Sequence, residues 1–93
     1  MIHDFASKET ERVWHGEFSK RLPTEIQQKA RMKLRMLHAA HNLNDLRSPP
    51  ANHLEALSGN RLGQHSIRIN GQWRLCFVWQ DRHASSVEIV DYH

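Results

Sequence analysis

Six side chains in this sequence are of the types that break a phosphodiester: His53, Arg68, Arg74, Asp91, Tyr92 and His93. Cleavage of RNA by its own 2′-hydroxyl needs a base, an acid for the leaving oxygen, and positive charge on the crowded phosphate. Histidine titrates near neutrality and fills either proton role. Arginine grips phosphate bidentately and keeps its proton, so it clamps rather than titrates. Tyrosine orients a hydroxyl or stacks on a base. No metal and no cofactor is required by this set. Each residue also has a plainer reading: solvated arginines on a sheet, Asp91 as a salt-bridge partner, Tyr92 as a cover on a core edge, His53 as a surface loop residue, and a fraying Tyr-His end.

Other routes to chemistry are poorly represented. There is no glycine-rich phosphate cradle and no cysteine-based zinc spacing. His38 and His41 sit three apart, a weak metal pattern that also suits a helix C-terminus. The one cysteine, Cys76, forms no internal disulfide and fits a reducing cytoplasm. The apolar runs are too short to cross a membrane, and Met1 to Phe5 lacks a signal-peptide layout.

The charge balance favours an anionic partner. Thirteen Lys and Arg face ten Asp and Glu, for a net charge of +3, and the pI is about 9.5. Lysines stop at Lys33, and every later fixed cation is an arginine. Lys29, Arg31, Lys33 and Arg35 fall on the polar faces of one helix. They read as a solvated face or as a landing strip for RNA phosphates, with Arg47 and Arg61 as further RNA-binding candidates.

Ninety-three residues, 39% hydrophobic and 25% charged, suit one small folded domain over 1–93. Met1 to Phe5 reads as an opening strand. Ser7 caps a first helix to about His15, closed by Gly16. Pro23 takes the first position of a second helix, with Thr24 and Gln27 as a capping box. Ile26, Ala30, Leu34, Leu37 and Ala40 or His41 form its apolar stripe. Asn42 to Asn52 is a loop stiffened by Pro49-Pro50, and His53 to Leu57 is a short strand. Ser66 to Ile69 and Trp73 to Trp79 flank an Asn70-Gly71 hairpin. A three-residue loop, Ile69 to Gly71 with Gly71 left-handed, sets Ile67 opposite Trp73. It puts Arg68 and Arg74 on the face away from the core. Gln80 to Ser85 is a loop, and Ser86 to Val90 a last strand with Val87 and Ile89 inward. The class is α+β, with two helices on one face of a mostly antiparallel sheet.

Several segments, in this order, resemble the HigB toxins of the RelE/ParE-like superfamily. They are Asp45-Leu46-Arg47-Ser48-Pro49-Pro50, Leu54-Glu55-Ala56-Leu57-Ser58-Gly59, Ser66-Ile67-Arg68-Ile69-Asn70, Gln72-Trp73-Arg74-Leu75-Cys76-Phe77 and the ending Asp91-Tyr92-His93. The resemblance implies a RelE-like fold and a ribosome-dependent endoribonuclease that cuts messenger RNA in the A site of the 70S ribosome. It implies a HigA-type helix-turn-helix antitoxin, through which operator DNA is reached indirectly. It also assigns the chemistry to His53, the hairpin arginines Arg68 and Arg74, and Asp91, Tyr92 and His93. The sequence departs from the family pattern at Ala51, Asn60 and His65, where Gly, Asp and Tyr are common. It also has no lysine after Lys33, so no lysine base stands on the sheet. Two non-enzymatic readings compete: a gyrase poison of the ParE type, and a subunit of a DNA-binding repressor complex.

Overall fold

A computed structural model describes residues 1–92; His93, one of the residues expected in the site, lies outside the described residues. Helix α1 spans Lys8–Trp14 and α2 spans Thr24–Ala39. Four strands follow: β1 Glu55–Ala56, β2 His65–Arg68, β3 Trp73–Gln80 and β4 His83–Asp91. They pair antiparallel in the order β1-β2-β3-β4, and both helices pack on one face.

The helices begin and end for local reasons. Ser7 caps α1 by accepting from the Thr10 amide at 3.1 Å. The chain leaves α1 through Gly16, whose φ of +80° suits glycine. Pro23 stands at the N-cap of α2 rather than at its first turn, and no side chain caps that end. The capping box expected of Thr24 and Gln27 is absent because Gln27 is engaged elsewhere. Its amide brackets the preceding loop, donating to the Ser19 and Leu22 carbonyls at 2.7 and 2.9 Å. The apolar stripe of α2 is as the spacing requires: Ile26, Ala30, Leu34, Leu37 and Ala40 are buried, while His41 is exposed. These residues meet Ile67, Leu75, Phe77 and Val87 from the sheet in one core. Burial of each such side chain favours folding by roughly 1.5–3 kcal/mol.

The hairpin register differs by two residues from the expected one. Ile67 pairs with Leu75 and Arg68 with Arg74. The three-residue loop is Asn70 to Gln72, closed by the Ile69 amide on the Trp73 carbonyl at 2.9 Å. Asn70 explains the shift: its side-chain oxygen accepts from both the Gln72 and Trp73 amides at 2.8 Å, an Asx turn. Gly71 has no positive φ. A slip of two preserves parity, so the faces are those expected. Ile67, Leu75 and Phe77 face the helices; Ser66, Arg68, Arg74 and Cys76 face away.

Other expected elements change for similarly local reasons. The loop over 80–85 contracts to a two-residue turn at Asp81 and Arg82, both left-handed at φ 53° and 67°, so β4 starts at His83. The opening strand reduces to two isolated parallel bridges, Ile2 with Ala84 and Phe5 with Val87. Between them β4 carries an extra residue, seen as the register break between Cys76–Glu88 and Val78–Ser85. Ser86 takes φ 50° there and gives its amide to the Asp4 carboxylate, which interrupts the backbone ladder. The 42–52 loop holds two short 3-10 turns, Leu43–Arg47 and Pro50–Asn52, and the strand expected over 53–57 keeps only Glu55 and Ala56.

Candidate active site

The sheet face away from the helices holds a cleft of about 440 Å³, lined by His53, Glu55, Arg68, Asn70, Arg74 and Tyr92. Strand alternation and the observed register place Arg68 and Arg74 directly across from one another. Like charges in that relation repel, so the pair is suited to a shared anion.

Arg74 is fixed. Its Nε donates to Ser66 Oγ at 2.7 Å and one Nη donates to the His53 carbonyl at 2.5 Å. Its other Nη stands 4.0 Å from the Glu55 carboxylate, and the side chain is 11% exposed. Arg68 is exposed at the rim. One arginine is thus a preset floor and the other an exposed arm.

His53 reaches the cleft because of the loop before it. Its left-handed backbone, φ 43° and ψ 58°, turns its carbonyl to Arg74. Asn52, fully buried, anchors that loop by donating to the Leu46 and Ser48 carbonyls at 3.1 and 3.4 Å. Its oxygen accepts from Lys33 Nζ at 2.6 Å. Lys33 is therefore corrected: it is not an RNA-facing cation but a buried latch between α2 and the proline loop. Burial, and then the neighbouring Lys29, hold its ammonium below its ordinary value.

Tyr92 closes the cleft at the end of β4, its amide donating to the Gln72 carbonyl at 2.5 Å. Its phenol neighbours the thiol of Cys76, which is buried. Burial first, and then Cys76, push the phenol above its ordinary value. Tyr92 thus keeps its proton through the neutral range, which suits it to a donor or stacking face rather than a base. Burial likewise raises the Cys76 thiol, so it is no nucleophile at neutral pH.

Not every expected residue converges. Asp91 alternates to the side of Ile89, away from the arginines, and its carboxylate accepts from Gln72 Nε2 at 3.1 and 3.2 Å. That places it behind the hairpin loop instead of in the cleft. Arg61 lies near the cleft but is paired, 3.4 Å from Glu88 and 3.1 Å from the Gln64 side-chain oxygen. Arg31 lies across Gly16, while Lys29 and Arg35 are exposed on α2 and Arg47 on the loop. Glu55, Asn70 and Ser66 were not expected in the site. For Glu55 and Ser66 the signal lay in register, since Glu55 pairs with Ser66 and Ser66 with Cys76 on the arginines' face; Asn70 enters from the hairpin loop. Among the described residues, no cluster of three or more His, Cys, Asp or Glu could hold a metal ion, and no helix is long and apolar enough to cross a membrane.

Comparison with known proteins gives these features a context. Toxin HigB-1 of Vibrio cholerae is 42% identical over 82 residues, covering 87% of this chain and 86% of that protein. An uncharacterized protein of Haemophilus influenzae is 37% identical over 73 residues, covering 78% and 72%. Among solved structures, a YoeB-YefM complex from Staphylococcus aureus shares the fold, with a TM-score of 0.61 at 20% identity over 100% of this chain and 98% of that one. The HigB-like toxin family matches residues 3–93, and the chain belongs to that family, the RelE-like toxins of the type II toxin–antitoxin system HigB.

Proposed function

We propose that this toxin is a ribosome-dependent endoribonuclease that cuts messenger RNA in the A site. The observation that carries the reading is the pair Arg68 and Arg74, facing across β2 and β3 in a cleft that also holds His53 and Tyr92. Two guanidiniums of fixed charge stabilise the phosphorane that forms as the 2′-oxygen attacks phosphorus. The 2′-hydroxyl loses its proton to a base, the 5′-oxygen leaves with a proton from an acid, and a 2′,3′-cyclic phosphate remains. His53 and His93 are the groups whose chemistry suits those transfers. Tyr92 orients the nucleotide, and Asp91 acts at one remove, through Gln72 and the loop that holds Tyr92. These residues supply base, acid and charge without calling on a metal.

The open cleft offers little to hold a free strand. A ribosome supplies the message in a fixed pose, which replaces the positioning that a small enzyme lacks. Exposed Lys29, Arg35 and Arg47 are suited to ribosomal RNA. A HigA-type antitoxin neutralises the toxin and links it to operator DNA. In support, the family is one of toxins of a type II toxin–antitoxin system, and the matched Staphylococcus aureus structures are YoeB-YefM complexes. The compartment is that of the ribosomes, the cytoplasm.

The test uses ribosomes programmed with a short message, wild-type protein and its His93→Gln variant, with 3′ ends mapped by primer extension. A-site cuts by the wild type, lost in the variant and absent without ribosomes, are the expected result. A folded, growth-inhibiting protein that makes no cuts would instead be a binding module, and gyrase would be assayed next.

A further inference from the structure

The cleft does not end at Tyr92. Beyond the Glu55 and Tyr92 side chains lies a second hollow of about 340 Å³, lined also by Leu57, Ser58, Asn60 and Arg61. Glu55 and Tyr92 border both spaces. The two differ in charge. In the first, Arg68 and Arg74 outweigh Glu55. In the second, the cation of Arg61 is already matched by Glu88 at 3.4 Å, and the other charge on its lining is the Glu55 carboxylate, 4.0 Å from Arg74. A phosphate entering there meets no unmatched cation. A nucleobase needs none, and it finds complementary groups: the Tyr92 ring as a stacking face, the Asn60 amide, and a carboxylate that accepts from an amino group.

We propose that this second hollow receives the nucleobase beside the scissile phosphate, and that Glu55 selects bases bearing an exocyclic amino group over uracil. The inference rests on the nuclease reading and deepens it. Uracil presents carbonyl oxygens where cytosine presents its amino group, and a carbonyl set against a carboxylate is repelled. Glu55 is 55% exposed in its side chain, so it is free to meet a base edge while Arg74 stands behind it.

The test varies one nucleotide at a time, cytidine against uridine, on each side of the cut in ribosome-bound messages. Wild-type protein is expected to favour cytidine at one flanking position by about tenfold or more. Glu55→Gln, whose amide both donates and accepts, should bring the two bases within about threefold of each other, reading the same energetic scale. If both proteins cut with the same base ratio, the subsite assignment is overturned while the nuclease reading stands. If the wild type cuts nothing, the nuclease reading fails and a second measurement decides the subsite. In NMR titrations with cytidine and uridine 5′-monophosphates, the amides of 57–61 should shift at lower cytidine concentration, and Glu55→Gln should abolish the difference. Equal responses to the two nucleotides would overturn the proposal.

Discussion

Two parts of this molecule gather positive charge, and they use it differently. On the open sheet face each cation has an assigned place. Arg74 is pinned by Ser66 and His53, Arg61 by Glu88, and Arg68 is exposed. On α2 the cations of one short stretch divide between roles. Lys33 is buried and bonded to Asn52, Arg31 is laid over Gly16, and Lys29 and Arg35 are exposed. The number of basic residues in a region therefore says little about what it binds. What matters is whether each charge is already matched by the protein.

That contrast is sharpest in Arg68. Its replacement by alanine removes charge from the cleft and touches little else. A-site cutting should fall by about 10²–10³-fold, the loss typical of one electrostatic donor. Stability, read from urea midpoints, should change by less than about 0.5 kcal/mol. Equal loss of cutting and of stability would break the distinction between arm and floor. On the helix side, Asn52→Ala leaves the Lys33 ammonium buried without its acceptor. It should cost about 1.5–3 kcal/mol in urea unfolding and weaken cutting through His53.

Lys33 offers a pH test of the same latch. Its folded pKa lies below 10.5, from burial first and Lys29 second. The unfolded chain therefore binds more protons between the lowered value and 10.5, and folding stability rises with pH across that window. Lys33→Met should flatten the rise; an unchanged slope would remove Lys33 from the latch. Lys29 and Arg35, by contrast, should affect ribosome binding alone. Replacing each with alanine should lower the salt dependence of binding by about one slope unit per residue. The smallest effect belongs to the exposed half of the sheet: breaking Arg61–Glu88 should change unfolding free energy by about 0–1 kcal/mol, given its partial exposure.

The sequence was most legible where burial enforced a period. The stripe from Ile26 to Ala40 and the two faces of β2 and β3 follow from alternation alone, which survives a two-residue slip. The slip itself was hidden because Asn70 chose the loop with a side chain, and such choices leave no periodic trace. Lys33 misled for a related reason. At the edge of an apolar stripe, a lysine is solvated or buried according to what lies opposite, and Asn52 is nineteen positions away in the chain. Glu55 was passed over because its neighbourhood is made by pairing across β1 and β2, not by anything adjacent to it.

The facing arginines also have a thermodynamic consequence. With no anion between them, their mutual repulsion is a cost carried by the folded state alone, since the unfolded chain separates them. Any polyanion that settles in the cleft relieves it, and binding to the native form alone adds RT ln(1 + [L]/Kd), about 2.7 kcal/mol at a hundredfold excess over Kd. The melting temperature of this toxin thus becomes a gauge of occupancy. A preparation that carries stray nucleic acid will look sturdier than a clean one, and under the proposed function the message would double as a ligand that holds the fold together.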